Sequence, residues 1–126
     1  AGIEAAQYAK ERGVKVVVIT SMKNYQSNAP RHSSGKKLAD FADVVIDNGA
    51  PPEDSIIKID GWDEPVAASS TVTVLVISMA LVAETASLLA KRGIHIPTFV
   101  SPNVMPDPDH NKKVYDLYKE LRRKVY

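Results

Sequence analysis

Apolar positions along this chain form two kinds of run. Short, nearly continuous runs rich in Val and Ile cover residues 14–19, 43–47 and 55–60, and glycine or small polar residues follow each of them. Continuous apolar runs of this length predict strands that are covered on both faces, as in a parallel sheet. A helical spacing precedes the first run, so we predict a helix over residues 3–12 that stops at Gly13.

The longest apolar segment predicts a buried helix. Ser69 or Ser70 can cap a helix that runs to about Arg92 and is apolar nearly all round. Because a helix without a polar face must be covered, we expect it to pack in a core or against a second subunit in a homodimer. We expect no membrane span, since the uncharged stretch from Pro65 opens with small and polar residues and its apolar part stops at Glu84.

The remaining segments complete an alternation of strands and helices. Residues 22–36 are polar and rich in turn formers, residues 36–42 predict a short helix, and residues 98–100 predict a short final strand. Asp109 or Asn111 can cap an amphipathic last helix that runs through about residue 124. Strands that alternate with helices predict an α/β layered fold with a mostly parallel sheet.

Composition excludes several classes of function. The 126 residues fit one domain or part of one, and the formal net charge of +1 gives no global field for nucleic acid. The chain has no cysteine, which rules out disulfides and thiolate zinc sites and fits a cytoplasmic location. Its three histidines lack the spacing of metal ligands, so we expect neither a metal nor another cofactor.

Three segments of the chain resemble sugar isomerase (SIS) domains. Residues 5–21 resemble the helix and third strand of these domains, which end in a Thr-Ser pair. Residues 31–55 and 99–114 resemble one uncharacterised subfamily that is similar to phosphoheptose isomerases. The resemblance covers essentially the whole chain. It implies that residues 1–126 are the C-terminal part of a single SIS domain, a three-layer αβα sandwich around a mostly parallel, flavodoxin-like sheet.

The same resemblance implies a ligand and a missing partner segment. It implies a cytoplasmic phosphosugar-binding protein that acts as a sugar-phosphate isomerase by proton transfer. A non-catalytic phosphosugar sensor and a structural half-domain are the alternatives, and the absence of the family's helix-borne histidine and glutamine from residues 74–79 favours the sensor. The family's Ser-x-Ser-Gly-x-Asn phosphate loop is expected in an N-terminal half, which would also supply a strand beside residues 14–19.

Two groups of polar residues are candidates for substrate binding. Thr20 and Ser21 end a predicted parallel strand, where α/β sheets bind their ligands, although strand-end turn chemistry explains them equally well. The loop from Arg31 to Lys36 gathers cations and hydroxyls that suit an anionic sugar. The alternative interpretation is a solvated loop in which Ser34 caps the next helix.

The candidates for proton transfer are a histidine and a glutamate. His32 belongs to the basic loop and is of a residue type that commonly transfers protons, whereas Glu84 interrupts the long apolar helix and could be tuned as a base. Glu84 could instead simply face solvent. Ser69, Ser70 and Thr71 open that helix, where the related isomerases contact their substrate, although helix capping already explains at least one of these hydroxyls.

Overall fold

The computed structural model describes residues 2–125 of the chain, and the side chains of residues 2–123. Helices and strands both occur, which confirms the mixed α/β class. In chain order the elements are helix α1 Gly2–Glu11, strand β1 Val17–Thr20, helix α2 Met22–Ser27, a 3-10 helix Leu38–Phe41, strands β2 Val44–Asp47, β3 Ser55–Ile57 and β4 Val66–Ala68, and helices α3 Ser69–Lys91 and α4 His110–Val125. The chain forms two compact units, which divide in sequence after Val82.

A parallel strand pair organises the first unit. β1 and β2 pair in register from Val17 opposite Val44 to Thr20 opposite Asp47, which confirms the two strands and their parallel direction. The Asp43 carboxylate, just before β2, accepts a hydrogen bond of 2.8 Å from the backbone N–H of Val16. The same carboxylate accepts bonds of 2.9 Å and 3.3 Å from the ammonium groups of Lys10 and Lys15. Asp43 therefore ties α1 and the start of β1 to β2.

The prediction that these strands are covered on both faces is wrong for the described residues. Val18 is buried, whereas Val17 is 55% exposed and Val44 is 52% exposed. The physical reason is the size of the sheet, because β1 and β2 pair only with each other and a two-stranded sheet has few flanking elements to cover it.

The third predicted strand is shorter than residues 55–60 and belongs to a separate sheet. β3 pairs antiparallel with β4, with Ser55 opposite Ala68 and Ile57 opposite Val66. Residues 66–68, which form β4, carry no strand signal that predicted it. Its central residue, Ala67, has a φ of 65°, a left-handed conformation that residues other than glycine seldom adopt.

Helix α3 begins at Ser69 and ends at Lys91, as predicted, but none of its residues is buried in the described chain. Five apolar side chains one turn apart form what we call the α3 stripe, and each of them is 60–63% exposed: Val72, Leu75, Val76, Met79 and Val82. Among the described helices, α3 alone is long and apolar enough to cross a membrane by length and composition. The core helix of a globular protein has the same properties.

Two further predictions need correction near the basic loop. The segment at residues 22–36, predicted to be loop, contains α2, which spans Met22–Ser27. The short helix predicted over residues 36–42 is a 3-10 helix of four residues, Leu38–Phe41. α1 packs against this 3-10 helix.

The second unit contains α4, and the strand predicted at residues 98–100 is absent from it. The side-chain amide of Asn111 replaces a strand partner. Its Oδ1 accepts a hydrogen bond of 2.9 Å from the backbone N–H of Val100, and its Nδ2 donates one of 2.8 Å to the Val100 carbonyl oxygen. Because a side chain satisfies these backbone groups, this extended segment needs no neighbouring strand.

Candidate functional site

A cleft of ≈ 470 Å³ lies at the carboxyl end of β1. Basic, hydroxyl and amide side chains form most of its polar lining, together with a few apolar residues. The lining residues are Ile3, Thr20, Asn24, Tyr25, Asn28, Ala29, Pro30, Arg31, His32, Lys36, Lys37, Leu38 and Ala39. The cleft thus brings together three residues predicted from the sequence, Thr20, Arg31 and His32.

Ser21 follows Thr20 but does not line the cleft, because its hydroxyl is buried and already bonded. The hydroxyl donates a hydrogen bond of 2.6 Å to the carbonyl oxygen of Ala50. It also accepts one of 3.1 Å from the backbone N–H of Asn24, so that Ser21 is the N-cap of α2. These bonds favour the interpretation of Ser21 as a strand-end turn residue over that of a ligand contact.

Two more contacts brace this end of the parallel pair. The Asp47 carboxylate, at the end of β2, accepts hydrogen bonds of 3.0 Å from the Gly49 N–H and 3.1 Å from the Met22 N–H. These bonds, the Gly49 bond foremost, lower the pKa of Asp47. The Asn24 side chain donates a bond of 2.7 Å to the Pro52 carbonyl oxygen. Hydrogen bonds to the end of β2 and to the turn after it thus hold α2, which contributes Asn24 and Tyr25 to the lining of the cleft.

His32 is bonded through both ring nitrogens. Nε2 lies 3.2 Å from Oε1 of Glu4, and Nδ1 lies 2.8 Å from Oγ of Ser34. The backbone N–H of Ser34, which can only donate, also lies 3.2 Å from Nδ1. Nδ1 is therefore an acceptor and Nε2 carries the proton toward Glu4 when the ring is neutral. The ring is oriented by a carboxylate, as many catalytic histidines are.

Three residues form a closed cluster at the cleft, and two of them, Tyr25 and Lys37, line it. The Tyr25 hydroxyl donates to Oδ1 of Asp40, and the Lys37 ammonium donates to the Tyr25 carbonyl oxygen. The Lys37 backbone N–H donates a bond of 2.7 Å to Oδ2 of Asp40. The Tyr25 hydrogen bond, followed by the Lys37 backbone bond, lowers the pKa of Asp40, and the same hydroxyl–carboxylate bond raises the pKa of Tyr25. Asp40 thus stays ionised beside Lys37.

The other two basic residues of the cleft are less engaged. Across the part of the chain that the structure describes, Arg31 and Lys36 have no carboxylate partner within ion-pair distance. The Lys36 ammonium lies 5.4 Å from the centre of the Phe41 ring. Both side chains are exposed at the cleft.

The hydroxyls of Ser69 and Ser70, at the start of α3, lie outside this cleft and bond to Asp54, whose carboxylate caps the helix. The Ser69 hydroxyl donates a bond of 2.8 Å to the Asp54 carbonyl oxygen, and the Ser70 hydroxyl donates one of 2.8 Å to Asp54 Oδ2. The Ser70 backbone N–H donates one of 2.7 Å to Oδ1 of the same carboxylate. Thr71 is exposed. Glu84 is exposed and belongs to the second unit.

Four of the polar residues that line the cleft were not candidates from the sequence: Asn24, Tyr25, Asn28 and Lys37. A signal for the first two was available, because Ser21 followed by a helix-compatible hexapeptide marks a helix start. Among residues 2–125, no group of three or more His, Asp or Glu side chains could hold a metal ion.

The fold and cleft define a mixed α/β chain with a cleft of basic and polar residues at a strand end. No family model matches the sequence. A UPF0309 protein of Listeria innocua is 40% identical over 118 residues, which cover 94% of this chain and 48% of that protein. A UPF0309 protein of Thermoanaerobacter pseudethanolicus is 42% identical over 122 residues, 95% of this chain and 49% of that protein. The chain spans about half the length of these curated relatives, whose names state no activity or ligand.

Proposed function

We propose that this chain belongs to a cytoplasmic protein that binds a phosphosugar in the cleft at the carboxyl end of β1. The observation that carries the proposal is the composition of the cleft. Four basic side chains line it beside hydroxyl and amide groups, and none of the described lining residues is acidic. The chain as a whole carries a formal charge of only +1, and Arg31 and Lys36 bring to the cleft cationic groups that have no carboxylate within ion-pair distance among the described residues, which favours an anionic ligand. The neutral groups suit the hydroxyls of a sugar, and the cations suit its phosphate.

The proposal includes the SIS fold, with its three-layer αβα sandwich and flavodoxin-like parallel sheet. Two findings support it: the parallel pairing of β1 with β2, and a ligand cleft beyond the carboxyl end of β1, where open α/β sheets place their sites. The apolar surfaces of β1, β2 and α3 support it too, because they match a sheet and a helix that further layers would cover.

We propose that another polypeptide segment supplies a strand beside β1. Within the described residues, β1 pairs with β2 along one edge only. A groove of ≈ 400 Å³ runs along β1 and is lined on its α1 side by Gly2, Ala5 and Ala9. Small residues there leave room for a backbone, and an unpaired strand edge accepts an added strand. The relatives have roughly twice the length of this chain, so they contain enough polypeptide for such a segment.

Calorimetric titration tests the binding proposal directly. With the N-terminal half of the domain present, we expect the protein to bind hexose and heptose phosphates in preference to the corresponding free sugars, and we expect residues 1–126 alone to bind phosphosugars poorly. Arg31→Gln should weaken the binding of the phosphates, and Arg92→Gln, an exposed arginine in the second unit, is the matched control. Equal binding of phosphorylated and free sugars, or the same loss in both variants, would contradict the proposal.

Isomerisation by proton transfer is the second candidate function, and the His32–Glu4 contact favours it. A carboxylate that orients a histidine at a sugar-binding cleft is the arrangement that a general base requires. A sugar phosphate incubated with the protein in D₂O should then gain deuterium at the carbon beside its carbonyl group. His32→Gln should abolish the exchange, and Glu84→Gln tests the other predicted base. Binding without any exchange would favour the non-catalytic sensor.

A further inference from the structure

The basic loop, Arg31 to Lys36, connects two elements that are bonded to each other. The Tyr25 hydroxyl, in α2, donates to Asp40 in the 3-10 helix, and the Lys37 ammonium, at the start of that helix, donates to the Tyr25 carbonyl oxygen. The same ammonium lies 4.6 Å from the centre of the Tyr25 ring. The two ends of the segment that carries the loop are therefore held close together, independently of the loop itself.

Residues 32–36 of the basic loop form a tight turn that is closed by its own hydrogen bonds. The Gly35 N–H donates one of 2.9 Å to the His32 carbonyl oxygen, and Gly35 has a φ of 67°, which suits a tight turn. The Ser34 hydroxyl accepts one of 3.3 Å from the Lys36 N–H. The Ser34 hydroxyl oxygen and backbone nitrogen lie 2.8 Å and 3.2 Å from His32 Nδ1. These bonds give the turn its shape, but they do not attach it to another element.

One hydrogen bond attaches this turn to another element of the first unit. His32 Nε2 lies 3.2 Å from Oε1 of Glu4, in α1. Residues 29–31, which lead into the turn, are exposed, and the described part of the chain gives them no hydrogen bond and no ion pair. At the other end, the Lys36 ammonium lies 5.4 Å from the centre of the Phe41 ring, a contact made through a flexible side chain. The position of the loop therefore depends mainly on the contact between Glu4 and His32.

We propose that Glu4, which does not line the cleft, is a positioning residue. Through His32 it holds the basic loop at the cleft, and the loop moves away as a unit when this contact breaks. The contact is partly exposed, with the His32 side chain 24% and the Glu4 side chain 58% accessible, so a modest free energy separates the two loop positions. Arg31 precedes His32 and lines the cleft with it, so the same contact determines where the guanidinium group lies. This inference rests on the proposed function only for its effect on a phosphosugar.

The first test measures the motion of the loop by backbone ¹⁵N relaxation, on the protein with its N-terminal half present. Glu4→Leu keeps the bulk of the side chain and removes the acceptor. In this variant the order parameters of residues 29–36 should fall together, from about 0.85 toward about 0.6, or their amides should show exchange in relaxation dispersion. Glu4→Gln, whose amide oxygen still accepts from Nε2, should keep the loop ordered. Glu11→Leu, which removes the other exposed glutamate of α1, is the matched control.

The second test measures binding of glucose 6-phosphate by calorimetry. A ligand that binds only the closed loop loses apparent affinity in proportion to the fraction of molecules in which the loop is open. Loss of one partly exposed contact should therefore weaken binding about 3- to 10-fold in Glu4→Leu. His32→Phe keeps the ring size without its nitrogens, and adding Glu4→Leu to it should cause no further loss, because both changes break the same contact.

The outcomes separate this inference from the proposed function. Unchanged loop motion in Glu4→Leu, an equal change in Glu11→Leu or Glu4→Gln, or additive losses in the double variant would each overturn the role of Glu4. A loop that is already mobile in the unmodified protein would overturn it too, even if glucose 6-phosphate binds. If the loop responds to Glu4→Leu as expected and the unmodified protein binds no glucose 6-phosphate, the Glu4–His32 contact stands and the phosphosugar proposal fails.

Discussion

The Ser21 hydroxyl donates a hydrogen bond of 2.6 Å to the backbone carbonyl oxygen of Ala50, and both residues are buried. The bond joins the end of β1 to the turn after β2, in a place that water does not reach. A residue that the sequence presents as a ligand contact is thus part of the frame beneath the cleft.

Ser21→Ala should therefore reduce stability rather than remove a ligand contact. The variant loses the N-cap of α2 and leaves the buried Ala50 carbonyl oxygen unpaired, which together should cost about 1–3 kcal/mol. Urea unfolding measures the change, and Ser33→Ala, in the exposed loop, is the control. If Ser21→Ala unfolded at the same urea concentration as the unmodified chain, the assignment of Ser21 as a structural residue would be wrong.

The elements with strong local signals could be predicted from the sequence. β1 and β2 have β-branched runs, and α3 and α4 have length and clear caps. β4 could not be predicted from the sequence, because its pairing with β3 is a tertiary contact. Its central residue, Ala67, also has a φ of 65°, which the residue type does not suggest. The extended segment at residues 98–100 resembles a strand in sequence, and only the distant Asn111 amide determines that it is not one.

The candidate site could also be predicted only in part, because some of its features are local in sequence and others depend on tertiary contacts. The basic loop is a local cluster, so Arg31 and His32 could be recognised by composition. Which cations stay available depends on contacts made by residues remote in sequence, such as Glu4 with His32 and Tyr25 with Lys37. The hydroxyls of Ser69 and Ser70 could not be distinguished from ligand contacts until the Asp54 carboxylate was placed against them.

Lowering the pH should destabilise the pairing of β1 with β2, because the Asp43 carboxylate that ties them together becomes protonated. The Val16 backbone N–H, and then the Lys10 ammonium, hold the pKa of Asp43 well below its usual range. Because the folded state binds this proton less tightly than the unfolded state, the contribution is fully present above the unfolded pKa of about 4 and is lost as pH falls toward the folded value. Asp43→Asn should be less stable than the unmodified chain in thermal unfolding at pH 7, and the gap should narrow as the pH is lowered from about 4. A gap that stayed constant down to acid unfolding would contradict this account.

The stability of the chain should depend on both the side chain and the backbone conformation of Asp54. Its carboxylate caps α3 through Ser70, and its φ of 65° lies in the left-handed region. Asp54→Ala loses the cap and keeps the strained backbone, whereas Asp54→Gly loses the cap and relaxes the backbone. Thermal unfolding should rank the unmodified chain first, the glycine variant second and the alanine variant last. An alanine variant as stable as the glycine variant would argue against the left-handed conformation.

The α3 stripe should form the interface of the homodimer that the apolar pattern of this helix predicts. Its side chains are 60–63% exposed in the single chain, so a charge placed there costs little in the isolated fold but much in an apolar interface. Val76→Glu should halve the mass measured by light scattering, whereas Lys91→Glu, at the polar end of the helix, should not. A monomeric unmodified chain at all concentrations, or a dimer that tolerates Val76→Glu, would contradict the interface.

The most direct measurement for the phosphosugar cleft is a residue-resolved NMR titration with glucose 6-phosphate, carried out on the protein with its N-terminal half present. Backbone amide shifts should change at Thr20, Asn28, Arg31 and Lys36, which line one cleft, and glucose without phosphate should produce much smaller changes at the same amides. Shifts of equal size with glucose, shifts confined to α3 and α4, or no shifts at all at millimolar ligand would contradict a phosphosugar site at the carboxyl end of β1.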